Sequence, residues 1–262
     1  MKKNIYKLML ELTHNRLYTA ILKRFTQLKV SKLLIPSFSR TFHINEAELA
    51  RNLPEYDSLS DFFSRELKEG SRFIGDDKNE IISPVDGVIK DAGKITKDTD
   101  FFVKGKKHSL KTMLGIDSAV NRYANGNYCV LYLSPKDYHR IHSPSDGVII
   151  HRWALGRYSE PVNSMGLHYG IEPLATNYRL ITEMVHKDNR MALIKVGALN
   201  VNSIHPSHLK NKVEKGEEIG YFSFGSTVIL LFEKNSITFN SEVIEGELNV
   251  KQGESIGKWV KS

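Results

Sequence analysis

Two short motifs each occur twice in this chain, and every copy carries residues that bend a backbone. Ser83-Pro84-Val85-Asp86-Gly87-Val88-Ile89 returns as Ser143-Pro144-Ser145-Asp146-Gly147-Val148-Ile149. Val213-Glu214-Lys215-Gly216-Glu217-Glu218-Ile219-Gly220 returns as Val250-Lys251-Gln252-Gly253-Glu254-Ser255-Ile256-Gly257. An Asp-Gly pair flanked by apolar residues is a tight-turn signal, because Asp tolerates the left-handed backbone. From about residue 80 the chain consists of short β-rich runs separated by Gly, Pro, Asn and Asp, including Tyr128 to Leu133, Met191 to Val196 and Tyr221 to Phe232. Ahead of them, Ser58 to Leu67 reads as a capped helix, with Ser58 and Asp61 spaced as a capping box and Leu59, Phe62, Phe63 and Leu67 facing inward. The expected class is α+β: helices first, then a mostly β domain, with no low-complexity linker between them.

Pro-x-Asp-Gly-Val followed by Val-x-x-Gly-Glu-x-Ile-Gly is similar to the turns of biotinyl and lipoyl carrier domains. That resemblance implies barrel-sandwich-hybrid-like elements within the β domain. No lysine sits in a hairpin tip of the Met-Lys-Met kind that such carriers modify, which counts against a carrier function.

The most apolar run, Tyr221 to Phe232, is interrupted by Gly225-Ser226-Thr227. One reading is a β-bulge whose freed backbone groups are satisfied by the two hydroxyls. The other is self-cleavage. A serine hydroxyl lies close to the preceding carbonyl, and Gly225 offers an unhindered carbonyl on a permissive backbone. Attack by Ser226 would convert the Gly225-Ser226 amide to an ester, and elimination would split the chain. The resulting dehydroalanine would hydrolyse to an N-terminal pyruvoyl group, a ketone made from the protein itself.

Such chemistry needs a base and an orienting group, and two motifs offer them: Ser83 to Gly87, and Tyr138-His139-Arg140-Ile141-His142-Ser143-Pro144. On these, and on Phe102-Val103-Lys104-Gly105, Leu133-Ser134-Pro135, Pro161-Val162-Asn163, Asn177-Tyr178-Arg179, Val196-Gly197-Ala198, Asn202-Ser203-Ile204 and Tyr221 to Phe232, the chain resembles the phosphatidylserine decarboxylases in their short Bacillus-like form. The family tetrapeptide usually begins with Leu where this chain has Phe224, which leaves the reacting Gly225-Ser226 bond unchanged. The resemblance implies that Asp86 orients His142, that His142 takes the proton of Ser226, and that His139 assists decarboxylation, a Ser-His-Asp arrangement known by roles rather than order. It also implies a large chain, residues 1–225, paired with a small chain, residues 226–262, that begins with the pyruvoyl group. The ketone would form a Schiff base with phosphatidylserine and yield phosphatidylethanolamine and carbon dioxide. Asp146 competes with Asp86 for the orienting role; the family motif continues through Asp86. Without the resemblance, Asp86 reads as a turn residue and the two histidines as loop residues ahead of Pro144.

Charge separates the chain into two parts. Residues 1–40 hold nine Lys or Arg against Glu11, a net +8, and the remaining 222 residues hold 28 basic and 29 acidic side chains. Within the basic segment Ile5, Leu8, Met9 and Leu12 share one helical face, and Leu17, Ile21, Phe25 and Leu28 share a second. Basic amphipathic helices bind anionic lipid, each cation contributing on the order of 1 kcal/mol; alternatively these helices pack on the domain with their lysines solvated. The expected division is residues 1–45 as membrane-associating helices and 46–262 as the catalytic domain, peripheral on the cytoplasmic face. No aromatic stacking motif or zinc-finger spacing suggests nucleic acid, and no apolar stretch approaches the ~20 residues that span a bilayer. Cys129, the only cysteine, sits in an apolar run and allows no intramolecular disulfide. His139-x-x-His142 with His151, and His205-x-x-His208, lack a carboxylate or thiolate set, so no metal is expected. Two rival functions are a non-catalytic lipid-binding β-sandwich module and a serine hydrolase; the second lacks a Gly-x-Ser-x-Gly elbow.

Overall fold

A computed structural model describes residues 16–96, 98–103, 105–157, 159–160, 162, 167, 169, 172–198, 204–223 and 226–260, with the backbone alone for 16–20. The first expected helical face, Ile5 to Leu12, lies outside the described residues. Helices α1 (Arg16–Gln27), α2 (Ile35–Phe42) and α3 (Leu59–Phe63) form an N-terminal layer, with a 3-10 turn at Lys29–Leu34. This layer turns polar residues inward: Thr26 and Ser31 are buried, and Ser31 Oγ accepts the Leu59 N–H at 2.9 Å. Ile21, Phe25, Leu28, Val30 and Leu33 are exposed. Ile35, Ile44, Leu49, Tyr56 and Phe62 form the layer's own core, which joins residues on both sides of position 45.

α3 is shorter than its spacing predicts. Ser58 caps it, accepting the Asp61 N–H at 3.2 Å. The Asp61 carboxylate does not close the capping box; it pairs with Arg51 at 2.6 Å and accepts the Asp57 N–H at 3.0 Å. Beyond Phe63 the Ser64 hydroxyl bonds the Ser60 carbonyl, and Leu67 leaves the helix to bridge Leu49.

Among the described residues sixteen strands follow: β1 (Glu80–Ile82), β2 (Gly87–Lys94), β3 (Asp100–Val103), β4 (Lys106–Ser109), β5 (Asn127–Leu133), β6 (Arg140–His142), β7 (Gly147–Leu155), β8 (Arg179–His186), β9 (Asn189–Gly197), β10 (Ile204–His205), β11 (Lys212–Val213), β12 (Glu218–Phe222), β13 (Ser226–Phe232), β14 (Ile237–Phe239), β15 (Leu248–Val250) and β16 (Ser255–Trp259). The main sheet is open, in the order β11-β7-β8-β9-β13-β5-β2-β15, and β1-β16-β14 and β10-β12-β6 form two small sheets. β13 lies inside the main sheet, antiparallel to β5 and to β9 along all seven of its residues. Val228, Leu230 and Phe232 enter one core cluster, while Ile229 and Leu231 enter the other. A strand covered on both faces reads as a continuous apolar run, and each large side chain so buried contributes about 1.5–3 kcal/mol. The run Tyr221 to Phe232 is nevertheless two strands: it ends in β12 at Phe222 and resumes in β13 at Ser226, in a different sheet.

The sequence repeats fold into a local two-fold arrangement. Ser83 N–H donates to Glu254 O and Ser143 N–H to Glu217 O, both at 2.8 Å. Gln252 N–H donates to Asp86 Oδ1 and Lys215 N–H to Asp146 Oδ1, again both at 2.8 Å. The halves also cross-link, His142 N–H to Pro84 O at 2.8 Å and Ile82 N–H to Pro144 O at 3.0 Å. Gly216 and Gly253 turn at φ 81° and 96°, and a Cβ on either would come to 3.0 Å from the Ile74 side chain. Glycine at both positions therefore answers to backbone conformation and to space.

Candidate active site

Ser226 opens β13 and is fully buried, and among the described residues its Oγ has no hydrogen-bond partner. A buried hydroxyl without a partner costs about 1–3 kcal/mol, so a structural cap is a poor account of it. Gly225, the other half of the expected cleavage bond, lies outside the described residues. The approach to it is clear: in β12 Tyr221 pairs with Arg140, and Phe222 N–H donates to His139 O at 2.9 Å. The strand leading into the expected cleavage bond is thus laced to the segment that carries both histidines.

His142 lies in β6. Its Nδ1 is 2.8 Å from the Gly216 carbonyl, which can only accept, so Nδ1 carries the proton. Nε2 is then an acceptor and receives the Tyr138 hydroxyl at 3.2 Å. Burial holds the imidazole below its usual range, against the Gly216 carbonyl and the carboxylates of Glu218 and Asp86. Burial also raises the Tyr138 phenol, which keeps it a donor. His142 is therefore a neutral base with its lone pair held at a defined edge.

His139 is fully buried, with Nδ1 2.8 Å from the Asp137 carbonyl. The same logic puts the proton on Nδ1, and among the described residues Nε2 has no partner. Burial and, after it, the Arg65 guanidinium push its pKa down to about 3. The Phe63 ring lies over the imidazole, centroids 4.1 Å apart. A second neutral imidazole thus presents a free acceptor edge. The orphaned Ser226 hydroxyl fits a residue that is itself converted into a prosthetic group, because among the described residues it holds nothing else in place.

Asp86 does not hydrogen-bond His142. Its carboxylate is gripped by Arg72, Nε at 3.0 Å from Oδ1 with Nη2 on Oδ2, and it accepts the Gln252 N–H. Arg72 also reaches Glu48 at 2.9 Å. The Asp86 charge raises the His142 pKa against the effect of burial, and the Pro84 carbonyl of the same turn accepts the His142 N–H. Asp146, in the matching turn, faces the segment where Ile82 stands in place of His142. The charge of Asp86 is felt at His142, whereas the Asp146 carboxylate accepts the N–H of Lys215, the neighbour of Gly216. Asp86→Asn is expected to fold and to slow chain cleavage by at least an order of magnitude, because the amide keeps the shape and loses the charge. A time course of fragment appearance measures it, and normal processing would shift the role to Asp146.

Arg72, Tyr138 and Phe63 are absent from the sequence-derived site. Tyr138 stands four residues before His142 in a motif already singled out, a spacing that deserved a contact. Arg72 lies in neither repeat and carries no local signal. His205 and His208 are engaged elsewhere: His205 Nε2 is 3.3 Å from Ser223 Oγ, and His208 Nδ1 is 3.0 Å from Glu217. Among the described residues no three His, Cys, Asp or Glu side chains converge as metal ligands.

A family model described as phosphatidylserine decarboxylase matches residues 59–258. The chain is 48% identical over 257 residues to the phosphatidylserine decarboxylase proenzyme of Geobacillus sp. (strain WCH70), an alignment covering 98% of this chain and 99% of that protein. It is also 48% identical over 256 residues to the protein of the same name from Bacillus mycoides (strain KBAB4), covering 98% of this chain and 97% of the relative.

Proposed function

The chain belongs to the phosphatidylserine decarboxylase family, and from that membership we propose that it is a self-processing enzyme converting phosphatidylserine to phosphatidylethanolamine and carbon dioxide. The observation that carries the reading is the buried Ser226 hydroxyl at the start of β13, unpartnered among the described residues and reached through a strand bonded to the histidine-bearing segment. In maturation Ser226 Oγ attacks the Gly225 carbonyl carbon as its proton passes to His142. The C–N bond breaks, the proton returns to the Ser226 nitrogen, and an ester replaces the amide. Removal of the Ser226 α-proton expels the Gly225 carboxylate, and hydrolysis with loss of ammonia leaves a ketone at position 226. Once formed, that pyruvoyl group supplies an electron sink, condensing with the substrate amine and accepting the electron pair released with carbon dioxide. His139 takes a proton from the incoming ammonium at Nε2 and returns it to carbon after carbon dioxide departs. Asp86 and Arg72 hold the turn that carries charge to His142.

Residues 1–45 serve as the membrane-associating element and 46–262 as the catalytic domain, cut between 225 and 226. α1 supports this: its apolar residues face outward among Lys23, Arg24, Lys29 and Lys32. Lys23 also lies close enough to His205 to add to the effect of burial in lowering its pKa, and His205 stacks on Tyr221 in β12 at 4.7 Å. A lipid surface held by α1 thus borders the strand that leads to Ser226. No described helix is long and apolar enough to cross a membrane. The protein is expected to bind anionic vesicles at low salt and to release them as the Debye length falls below about 10 Å; indifference to such vesicles in sedimentation would refute the assignment to the membrane face.

The enzyme reading is tested by the intact denatured mass of freshly expressed protein. Fragments 1–225 and 226–262 are expected, the smaller lighter than a serine-ended peptide by the elements of ammonia. A stable uncut chain that releases no carbon dioxide from phosphatidylserine vesicles would defeat it.

A further inference from the structure

His139 is held largely by the helical layer. Arg65, two residues past α3, is only 3% exposed, and among the described residues it makes no ion pair. Its Nη2 donates to the carbonyls of Lys136 at 2.6 Å and Asp137 at 2.9 Å. The Asp137 carbonyl is also the acceptor that fixes the His139 Nδ1 proton. Phe63 covers the His139 ring, and the Ser64 carbonyl accepts Arg140 Nε at 3.1 Å. Three consecutive residues of the layer therefore clamp the segment from Lys136 to Arg140.

Burying an unpaired guanidinium is costly, and burial indeed holds Arg65 below its usual range. A loop could be fastened by a neutral amide at lower cost, so the charge itself calls for a purpose. The other ionisable groups near His139 are occupied. The Asp137 carboxylate accepts from Ser134 N–H and Oγ, both at 2.7 Å, the Tyr138 phenol is on His142, and Arg140 is paired with Glu66 and Glu218. That leaves Arg65, offset only by the more distant charges of Asp86 and Asp137 and without an ion pair among the described residues, as the cation that acts on the imidazole.

We propose that Arg65 is a positioning residue for decarboxylation: through the shared Asp137 carbonyl it fixes the His139 tautomer and so keeps Nε2 the open edge that meets the substrate's proton, while its charge adds to burial in holding the ring neutral. This rests on the assignment of decarboxylation to His139. The guanidinium suits the task, because the two N–H groups of its Nη2 reach both carbonyls while it remains cationic. The same contacts tie the layer that follows the membrane helices to the ring that handles the proton.

The test uses full-length, self-cleaved protein and mixed phosphatidylserine vesicles. Arg65→Met is expected to mature like the parent, with kcat down at least tenfold and KM within about threefold. Loss of the neighbouring cation favours protonated His139, so the acid limb of the kcat–pH profile moves up by about one unit. Arg65→Lys keeps the charge but not the fixed, planar Nη2 that reaches both carbonyls, so it leaves the limb in place and restores only part of kcat. In a His139→Ala background Arg65→Met costs nothing further, because the two act through one group. An Arg65→Met enzyme with parental kcat and an unmoved limb overturns the proposal. If Arg65→Met is insoluble, Arg65→Lys decides: parental kcat overturns it, and lowered kcat with an unmoved limb supports it. Full decarboxylation by His139→Ala would remove the premise itself, whereas an inactive His139→Ala beside a parental Arg65→Met would remove only the role of Arg65.

Discussion

Ser226→Ala is expected to remain one chain of 262 residues and to lose decarboxylation by at least four orders of magnitude. The substitution deletes one oxygen that bonds to nothing among the described residues, so stability should hardly change. That combination makes the experiment sharp: the fold stays while both chemistries vanish, because attack on Gly225 and the ketone depend on the same atom. Denatured mass reports the first loss and carbon dioxide release the second. Cleavage in this variant would place the cut elsewhere and dissolve the role of Ser226. Activity without cleavage would remove the ketone from the reaction.

The second large effect separates the two histidines. His142→Ala is expected to stay uncut, because the lone pair steered by the Gly216 carbonyl is gone. His139→Ala is expected to cut normally and then decarboxylate some 10²–10⁴-fold more slowly, the range that one proton-transfer group contributes. Both imidazoles are neutral in the folded protein, so the difference lies in what each faces: His142 meets Tyr138, and His139 offers an open Nε2 beneath Phe63. An uncut His139→Ala would merge the two roles and end this division of labour.

Much of this could be read from the chain before folding. The duplicated turns announce the paired hydrogen bonds at Asp86 and Asp146, because a turn that needs a capping carboxylate needs it in both copies. The helices-then-strands order follows from the change of period near residue 80. Two features escaped for physical reasons. Helical spacing from Ser58 through Leu67 cannot register that Leu49 offers a competing bridge, so α3 ends early. A Gly-Ser-Thr break in an apolar run suits a bulge within one strand as well as a change of sheet, so β12 and β13 look like one strand. In the site, residues inside motifs were legible and their holders were not. Arg72 grips Asp86, and Arg65 shares the Asp137 carbonyl with His139 from a layer whose own pattern speaks only of helices.

β13 has no free edge: β5 holds it on one side and β9 on the other, residue for residue. On the proposed reading this strand opens the small chain, so the new N-terminus is born inside a completed sheet and cannot diffuse away without unfolding the molecule. A cofactor that dissociates can be replaced when it is damaged; one anchored in this way cannot. Each molecule would carry a single, unrenewable reactive group, and a reagent that capped it would retire that molecule permanently. Recovery of activity would then follow the rate of new synthesis, not the supply of any small molecule.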